Sequence, residues 1–582
     1  MANSRVKQLG AYLRPHRQQV ILGIIALFLV NAVGVYLPLL MRDSIDALGQ
    51  GFNYEQLWGY VLLILILACV MWAIRMFSRI YIFGIGRLVE FDLKQKIFQH
   101  LLRLDVSYFA INNSGDLMSR ATSDVDSVRS LLGFALLSLV NTFFAYSLTL
   151  PVMLSINARL SLMAIAVYPL MLIAVQLFSG KLRQQQQDVQ EKLSDLSSLI
   201  TEDMSGMALI KIYAQETQER LAFAQKNRRL LQANLKLART RNLLFPLVEG
   251  LSYLSLLVLL IWGSGTIESG IITIGDFVAL IIFVERLVFP TALLGFTITA
   301  YQRGEVSIDR IEAILNAETK IEDAPSAYSL PKAKVKGEIT ARGLTYTYPG
   351  AKNPAIKNLN FTITAGETVA IVGPIGSGKS TLANAFPRLL DIPEGQLFLD
   401  GLDVTKLKLS DLRSSMSYVP QDSFLFGITI ENNIRYGDPL REKQEVVAAA
   451  VQAQIHEEVL NFPQQYETMV GERGITLSGG QRQRTSLARA LLMAAPILIL
   501  DDALSSVDNQ TATRILNYLS TEKSKTVIFI SHQLSAAATA DKILVMDHGE
   551  IVQSGTHSQL VEKPGLYQSL WQQHQLLLMV DG

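Results

Sequence analysis

The chain has 582 residues, 49% of them hydrophobic and 18% charged, with a formal net charge of +1 at neutral pH. That length exceeds one ordinary domain, and the apolar excess leans toward a membrane protein. The near-zero charge gives no footing for nucleic acid, and the single cysteine, Cys69, excludes an intrachain disulfide or a cysteine-rich zinc site.

Arg5, Lys7, Arg14 and Arg17 precede the first apolar run, "VILGIIALFLVNAVGVYLPLLM" (20–41), which is too long for a signal-peptide core. Further runs cover 57–77, 131–156, 160–180, 243–263 and 277–300. At about 1.5 Å per residue, roughly 20 residues cross the roughly 30 Å hydrocarbon layer, so the spacing predicts six membrane helices. Cys69, inside the second run, reads as inert packing. The polar connections 78–130 and 181–242 carry Arg79, Arg87, Arg120, Arg129, Lys181, Arg183, Lys236, Arg239 and Arg241 near the span ends. Positive-inside bias places both connections and both termini in the cytoplasm.

Those connections keep apolar residues at helical spacing with few breakers. They read as membrane helices continuing into the cytoplasm, each pair turned by a short cross-helix, within "SYFAINNSGDL" and "ALIKIYAQETQERL". Charges inside spans are costly and usually face a cavity or a partner. Asp276 reads as a helix-start cap and Arg75 as reaching the interface. Glu249, Glu285 and Arg286 are candidates for a transport path, near a possible kink at Pro290. For the Glu285–Arg286 pair an ion-paired packing contact between helices is the other reading. Acids facing a cavity would favour cationic or amphipathic cargo.

A polar, proline-bearing stretch, "ETKIEDAPSAYSLPKAKVKG", opens the second half. Beyond it, short β-rich runs ("ETVAIVG", "QLFLDG", "TVIFISH") alternate with helical segments, the pattern of an α/β domain. The expected division is 1–320 for the transmembrane domain, 321–336 for a linker and 337–582 for the α/β domain.

"GPIGSGKST" fits the phosphate-loop pattern, placing Gly373, Pro374, Gly376, Ser377, Gly378, Lys379, Ser380 and Thr381 around a nucleotide's phosphates. It sits between a strand and a helix, the context the motif requires, where backbone N–H groups face an anion. Lys379 is expected on the terminal phosphates and Ser380 on magnesium. "ILILDD" ends a buried strand in Asp501, a second magnesium ligand. A short helix upstream lies "LSGGQRQR", with Leu477, Ser478, Gly479, Gly480 and Gln481.

With these motifs the chain resembles an ABC exporter half-transporter of the bacterial, MsbA-like (type IV) lipid-flippase and multidrug kind, along essentially its whole length. The resemblance implies a multidomain membrane protein: an all-α six-helix transmembrane domain with an N-terminal elbow helix, long cytoplasmic extensions and two coupling helices, then an α/β P-loop ATPase domain. It implies ATP and Mg²⁺ as cofactors. It matches Tyr348 to the aromatic that stacks on adenine, and Gln421 to the glutamine that contacts magnesium. Glu472 matches the loop that touches the coupling helices, Asp508 the loop that crosses to the other cassette, and His532 the switch histidine. The family pairs cassettes head to tail, each signature (here Leu477, Ser478, Gly479, Gly480 and Gln481) serving the partner's ATP, so a second half-transporter is required. The implied activity is ATP-driven export or flipping of a small hydrophobic or amphipathic substrate (drug, lipid or peptide) by alternating access, in a bacterial inner membrane. The alternative is an ATP-gated or regulatory membrane protein that does not pump.

Asp502 departs from the family, which carries a glutamate there as general base. One methylene less withdraws the carboxylate by about 1.5 Å. Losing hydrogen-bond reach forfeits much of a contribution worth roughly 10²- to 10⁴-fold. Such a residue beside an intact signature resembles the degenerate-site subunit of heterodimeric exporters of the TmrAB and MdlAB types. A heterodimer is therefore favoured over a homodimer, with slow hydrolysis at this chain's own site.

Overall fold

The computed structural model describes residues 9–50, 54–521, 525–531 and 533–580. The chain forms two compact units, Met1–Leu102 with Ser114–Ala317, and Arg103–Asn113 with Glu318–Gly582.

The first unit is helical. Of the expected elbow, 1–8 lie outside the described residues, and Arg14–His16 form a 3₁₀ turn that leads into α1 (Arg17–Gln50). Then come α2 (Tyr54–Leu101), α3 (Leu136–Ile165), α4 (Tyr168–Ser205), the short α5 (Met207–Ile212), α6 (Glu216–Glu268) and α7 (Ile274–Leu315). Five helical runs among the described residues are long and apolar enough to cross a membrane, and one of them, Ser114–Ser205, is broken within and makes two passes. Asn157 leaves helical geometry (φ −157°, ψ 106°), and its side chain accepts from the Leu160 N–H at 3.1 Å to start the next helix. The Ser161 hydroxyl bonds the Met153 carbonyl eight residues back at 2.7 Å. Eight residues of straight helix would separate them by about 12 Å, so the chain reverses there. The total is six spans, as expected from the apolar runs.

The extensions are also present. α2 has 48 residues and α6 has 53. At 1.5 Å per residue these are about 72 and 80 Å long, over twice the hydrocarbon thickness. Short helices stand in both expected cross-helix segments, Val106–Ile111 and α5. α7 buries Leu280, Phe283, Val284 and Leu287 completely. Their spacing draws one helical stripe, and the stripe packs on Tyr168, Met171 and Val175 of α4. Thr273 and Asp276 form a reciprocal capping box, so Asp276 caps the start of α7 from its third position. Cys69 is exposed on the outer face of α2 with Leu65 and Trp72, so it is not packed inside the unit.

The second unit holds two sheets. β1 (Ile339–Tyr346), β2 (Ile356–Ile363), β4 (Leu397–Leu399) and β5 (Leu402–Asp403) make an antiparallel sheet ordered β2-β1-β4-β5. The other sheet combines β3 (Thr368–Val372), β6 (Met416–Val419), β7 (Ile497–Asp501), β8 (Thr526–Ile530), β9 (Lys542–Asp547) and β10 (Glu550–Gly555), ordered β10-β9-β3-β8-β7-β6. β3, β7 and β8 are buried along their whole length, as continuous runs such as "ILIL" require of strands covered on both faces. β9, β3, β8, β7 and β6 run parallel. The loops after β3, β6, β7 and β8 therefore leave one edge, where α/β sheets bind ligands.

Candidate functional site

The loop after β3 closes on α8 (Lys379–Ala385), whose N-cap Gly378 is left-handed at φ 96°. A Cβ there would lie 2.5 Å from the Ala355 carbonyl oxygen, and one on Gly373 2.0 Å from that of Met546. Only glycine lets the loop fold this tightly. The buried Lys379 ammonium donates to the carbonyls of Gly373 (2.9 Å) and Pro374 (2.8 Å) and to the Ser377 hydroxyl (3.3 Å), so its charge lies within the loop. Burial lowers its pKa, against the opposing pull of Asp502 and Asp501.

The Ser380 hydroxyl donates to Asp501 Oδ1 at 2.9 Å across the gap between α8 and the end of β7. Tyr418, on β6, reaches Asp501 Oδ2 at 3.2 Å and Asn384 Oδ1 at 2.9 Å. Burial raises the pKa of Asp501, and the hydrogen bonds from Ser380 and Tyr418 oppose it. Two hard oxygen groups fixed side by side, with backbone N–H groups close by, suit magnesium and a polyphosphate.

One cavity of about 490 Å³ gathers Gly376, Gly378, Lys379, Ser380, Thr381, Gln421, Asp501 and Asp502. Asp502 is left-handed at φ 48°, and its N–H bonds the Ile530 carbonyl at 3.1 Å. Tyr348 does not line the cavity. Half exposed, it meets Tyr346 edge-on at 5.1 Å and touches the Thr381 hydroxyl at 3.2 Å. His532 lies outside the described residues.

The signature residues stand apart from this cavity. Ser478 caps α9 (Gly479–Leu492) in a reciprocal box with Gln481, and Leu477 is buried beneath. Gln481 donates onward to Glu458 at 2.9 Å. Glu472 is exposed in a 3₁₀ turn. The Asp508 carboxylate accepts from the Thr511 N–H at 2.9 Å at the start of α10 (Asn509–Thr521), a bond that lowers its pKa. Two residues not singled out from the sequence matter here. Tyr418 stands three positions before Gln421 in the same "YVPQ" segment. Gln483 bonds the Ser505 hydroxyl (3.0 Å) and the Ser506 N–H (2.8 Å), tying α9 to the loop after Asp502.

In the membrane unit Glu249, Glu285 and Arg286 do not converge. Glu249 is exposed and accepts from Tyr253 one turn on at 2.9 Å. Glu285 is exposed, and among the described residues no ion pair joins it to Arg286. Arg286 instead donates to the Asn31 carbonyl (3.3 Å) and Oδ1 (3.2 Å) on α1.

The ABC transporter transmembrane region matches residues 20–291, and the ABC transporter family matches 356–505. The chain is 33% identical over 582 residues to the probable multidrug resistance ABC transporter ATP-binding/permease protein YheI of Bacillus subtilis, covering all of this chain and 99% of that one. It is 32% identical over 576 residues to the ATP-dependent lipid A-core flippase of Syntrophus aciditrophicus, covering 99% and 95%. Its fold is similar to that of a bacterial Atm1-family ABC exporter with ATP bound, at a TM-score of 0.79 and 26% identity over 96% of this chain and 99% of that one.

Proposed function

This chain belongs to the ABC transporter family, and from that premise we propose that it is one half of an exporter that uses ATP to move or flip a hydrophobic or amphipathic substrate across a membrane. The observation that carries the reading is the convergence of Lys379, Ser380, Gln421, Asp501 and Asp502 on one cavity, in a chain whose other unit is six apolar helices. Lys379 would neutralise phosphate charge, and Ser380 with Asp501 and Gln421 would hold Mg²⁺, which supplies charge neutralisation when bound. Tyr348 would face the adenine, Glu472 the coupling helices, and the signature residues with Asp508 a second cassette. That the signature residues do not line their own chain's cavity supports a paired assembly.

The domain bounds 1–320, 321–336 and 337–582, an inner-membrane location and cytoplasmic termini belong to the same proposal. So does a heterodimer in which Asp502 turns over slowly and a glutamate-bearing partner hydrolyses. The test is ATP-dependent movement of a fluorescent amphiphile across vesicles holding the chain, alone and with candidate partners. Movement that Lys379→Ala abolishes is expected. Movement indifferent to ATP would favour a gated pore instead.

A further inference from the structure

The signature turn of α9 is held from outside its own motif. Ser478 and Gln481 cap each other, the Ser478 N–H on Gln481 Oε1 at 2.9 Å and the Gln481 N–H on Ser478 Oγ at 3.2 Å. The other end of the Gln481 amide, Nε2, donates to Glu458 Oε2 at 2.9 Å. Glu458 lies in the short helix His456–Leu460, flanked in sequence by the buried Ile455 and Val459. His456 Nδ1 meets the hydroxyl of the buried Tyr466 at 2.8 Å, so the carboxylate stands on a packed base.

A carboxylate only accepts hydrogen bonds, whereas an amide has one accepting and one donating end. With Glu458 in place, Nε2 must face the acid and Oε1 the Ser478 N–H. Turned over, the amide would set NH₂ against N–H and carbonyl against carboxylate, and the cap would open. The cap in turn fixes Ser478. Its oxygen accepts from the Gln481 N–H, and among the described residues nothing accepts its O–H. That hydroxyl is exposed and able to donate.

A bare acid at the start of α9 would repel a phosphate, but this one is neutralised. Arg484 Nη1 lies 2.7 Å from Glu458 Oε1, and the same guanidinium donates to the carbonyls of Gln454 at 2.7 Å and Gly480 at 3.3 Å. Both neighbours of the Glu458 carboxylate are thus donors, and only a group that accepts at both ends satisfies them. For stability the pair contributes little, since the Glu458 side chain is 38% exposed.

We infer that Glu458 is a positioning residue for the signature: it fixes the Gln481 amide in the one orientation that keeps the cap closed and presents the Ser478 hydroxyl to the γ-phosphate of an ATP held by a second cassette. This rests on the exporter reading, in which the signature meets a partner's nucleotide. Glu458 acts only through Gln481 and does not line the phosphate-loop cavity. Arg484 is the poorer position to vary, because it also adds to the lowering of the Asp508 pKa that the Thr511 N–H mainly causes.

The experiment takes the full-length chain in lipid nanodiscs, reads the cap by amide hydrogen exchange, and titrates Mg²⁺-ADP and Mg²⁺-ATPγS. Glu458→Ala is expected to speed exchange over residues 478–481 by about five- to tenfold, as the loss of a cap does. It should weaken ATPγS about tenfold and ADP, held by the phosphate loop alone, by less than about twofold. Glu458→Gln keeps the size but turns one acceptor into a donor, so it should behave like Glu458→Ala. Glu457→Ala, which removes the adjacent exposed acid, should match wild type. Unchanged exchange, an equal loss of both nucleotides, a wild-type response from Glu458→Gln, or the same loss in Glu457→Ala would each overturn the inference. Wild type that binds the two nucleotides alike would overturn it together with the paired-cassette reading. A preference for ATPγS that survives in every variant would overturn the inference alone.

Discussion

The Ser380 hydroxyl and the Asp501 carboxylate are bonded at 2.9 Å, which joins the phosphate loop to the far strand end. The carboxylate is buried, and burial raises its pKa. For a carboxylate with a raised folded pKa, stability is fully present below its unfolded value and is lost as pH rises through the folded one. Asp501→Asn is therefore expected to raise the melting temperature of the nucleotide-free protein at pH 7. The gain should shrink toward zero below about pH 4, where the unfolded carboxyl is itself protonated. The same variant should weaken Mg²⁺-ATP binding by roughly 10- to 100-fold, the loss of one charged contact of about 1.5–3 kcal/mol. Scanning fluorimetry across pH with and without Mg²⁺-ATP reads both, and a variant that melts earlier without nucleotide would refute the burial account.

Asp502 gives a second trade of opposite sign. Its φ of 48° is a region that aspartate tolerates better than longer side chains. Asp502→Glu is expected to cost a fraction of a kcal/mol to about 1 kcal/mol. It should also raise Mg²⁺-ATP turnover of the purified chain by about 10² or more, by returning the base to hydrogen-bond reach. A brisk wild-type homodimer that the glutamate does not improve would end the degenerate-site proposal.

The fold was legible wherever local pattern decides it. Six apolar runs became six spans, because roughly 20 residues is a length only a membrane demands of helices. "TVAIV", "ILIL" and "TVIFI" became parallel strands, because full burial on two faces requires unbroken apolar runs. Side-chain direction was not legible. Glu285 and Arg286 are neighbours in sequence, but successive helix positions point about 100° apart and do not face each other. Arg286 met Asn31, 255 positions away, a partner that no local signal announces. Similarly "QLFLDG" was legible as a strand but not as a member of the antiparallel sheet, because strand pairing is non-local.

The Arg286 contact depends on Gly34. A Cβ at that position would lie 1.8 Å from Arg286 Nη1. Gly34→Ala is expected to push the guanidinium off Asn31 and destabilise the membrane unit by about 1–3 kcal/mol. In an Arg286→Ala background the same change should cost almost nothing. A double-mutant cycle on thermal inactivation measures the coupling, and additivity within about 0.5 kcal/mol would show that the two sites are independent.

Gln483 bears on how the two ends of a cassette communicate. It stands on α9, whose first turn carries the signature, and its amide holds Ser505 and Ser506 in the loop that begins at Asp502. The Ser505 hydroxyl in turn donates to the Asp502 carbonyl at 3.0 Å. Gly480 packs so closely on that loop that a Cβ would come within 2.8 Å of the Ser506 carbonyl oxygen. The signature helix is therefore tied to the backbone of Asp502 by the Gln483 side chain as well as by the close approach of Gly480. Gln483→Leu keeps the volume and removes both bonds, leaving the Ser506 N–H without its partner at a cost of about 1–3 kcal/mol. ATP affinity at the phosphate loop should stay within about twofold, since none of its contacts changes, while hydrolysis in the assembled pair falls by about tenfold, or 1.4 kcal/mol. Gln483→Glu retains the acceptor for Ser506 and should fall between the two. If binding and turnover drop together, Gln483 holds the fold rather than the coupling. If only turnover drops, the glutamine relays the state of one site to the other.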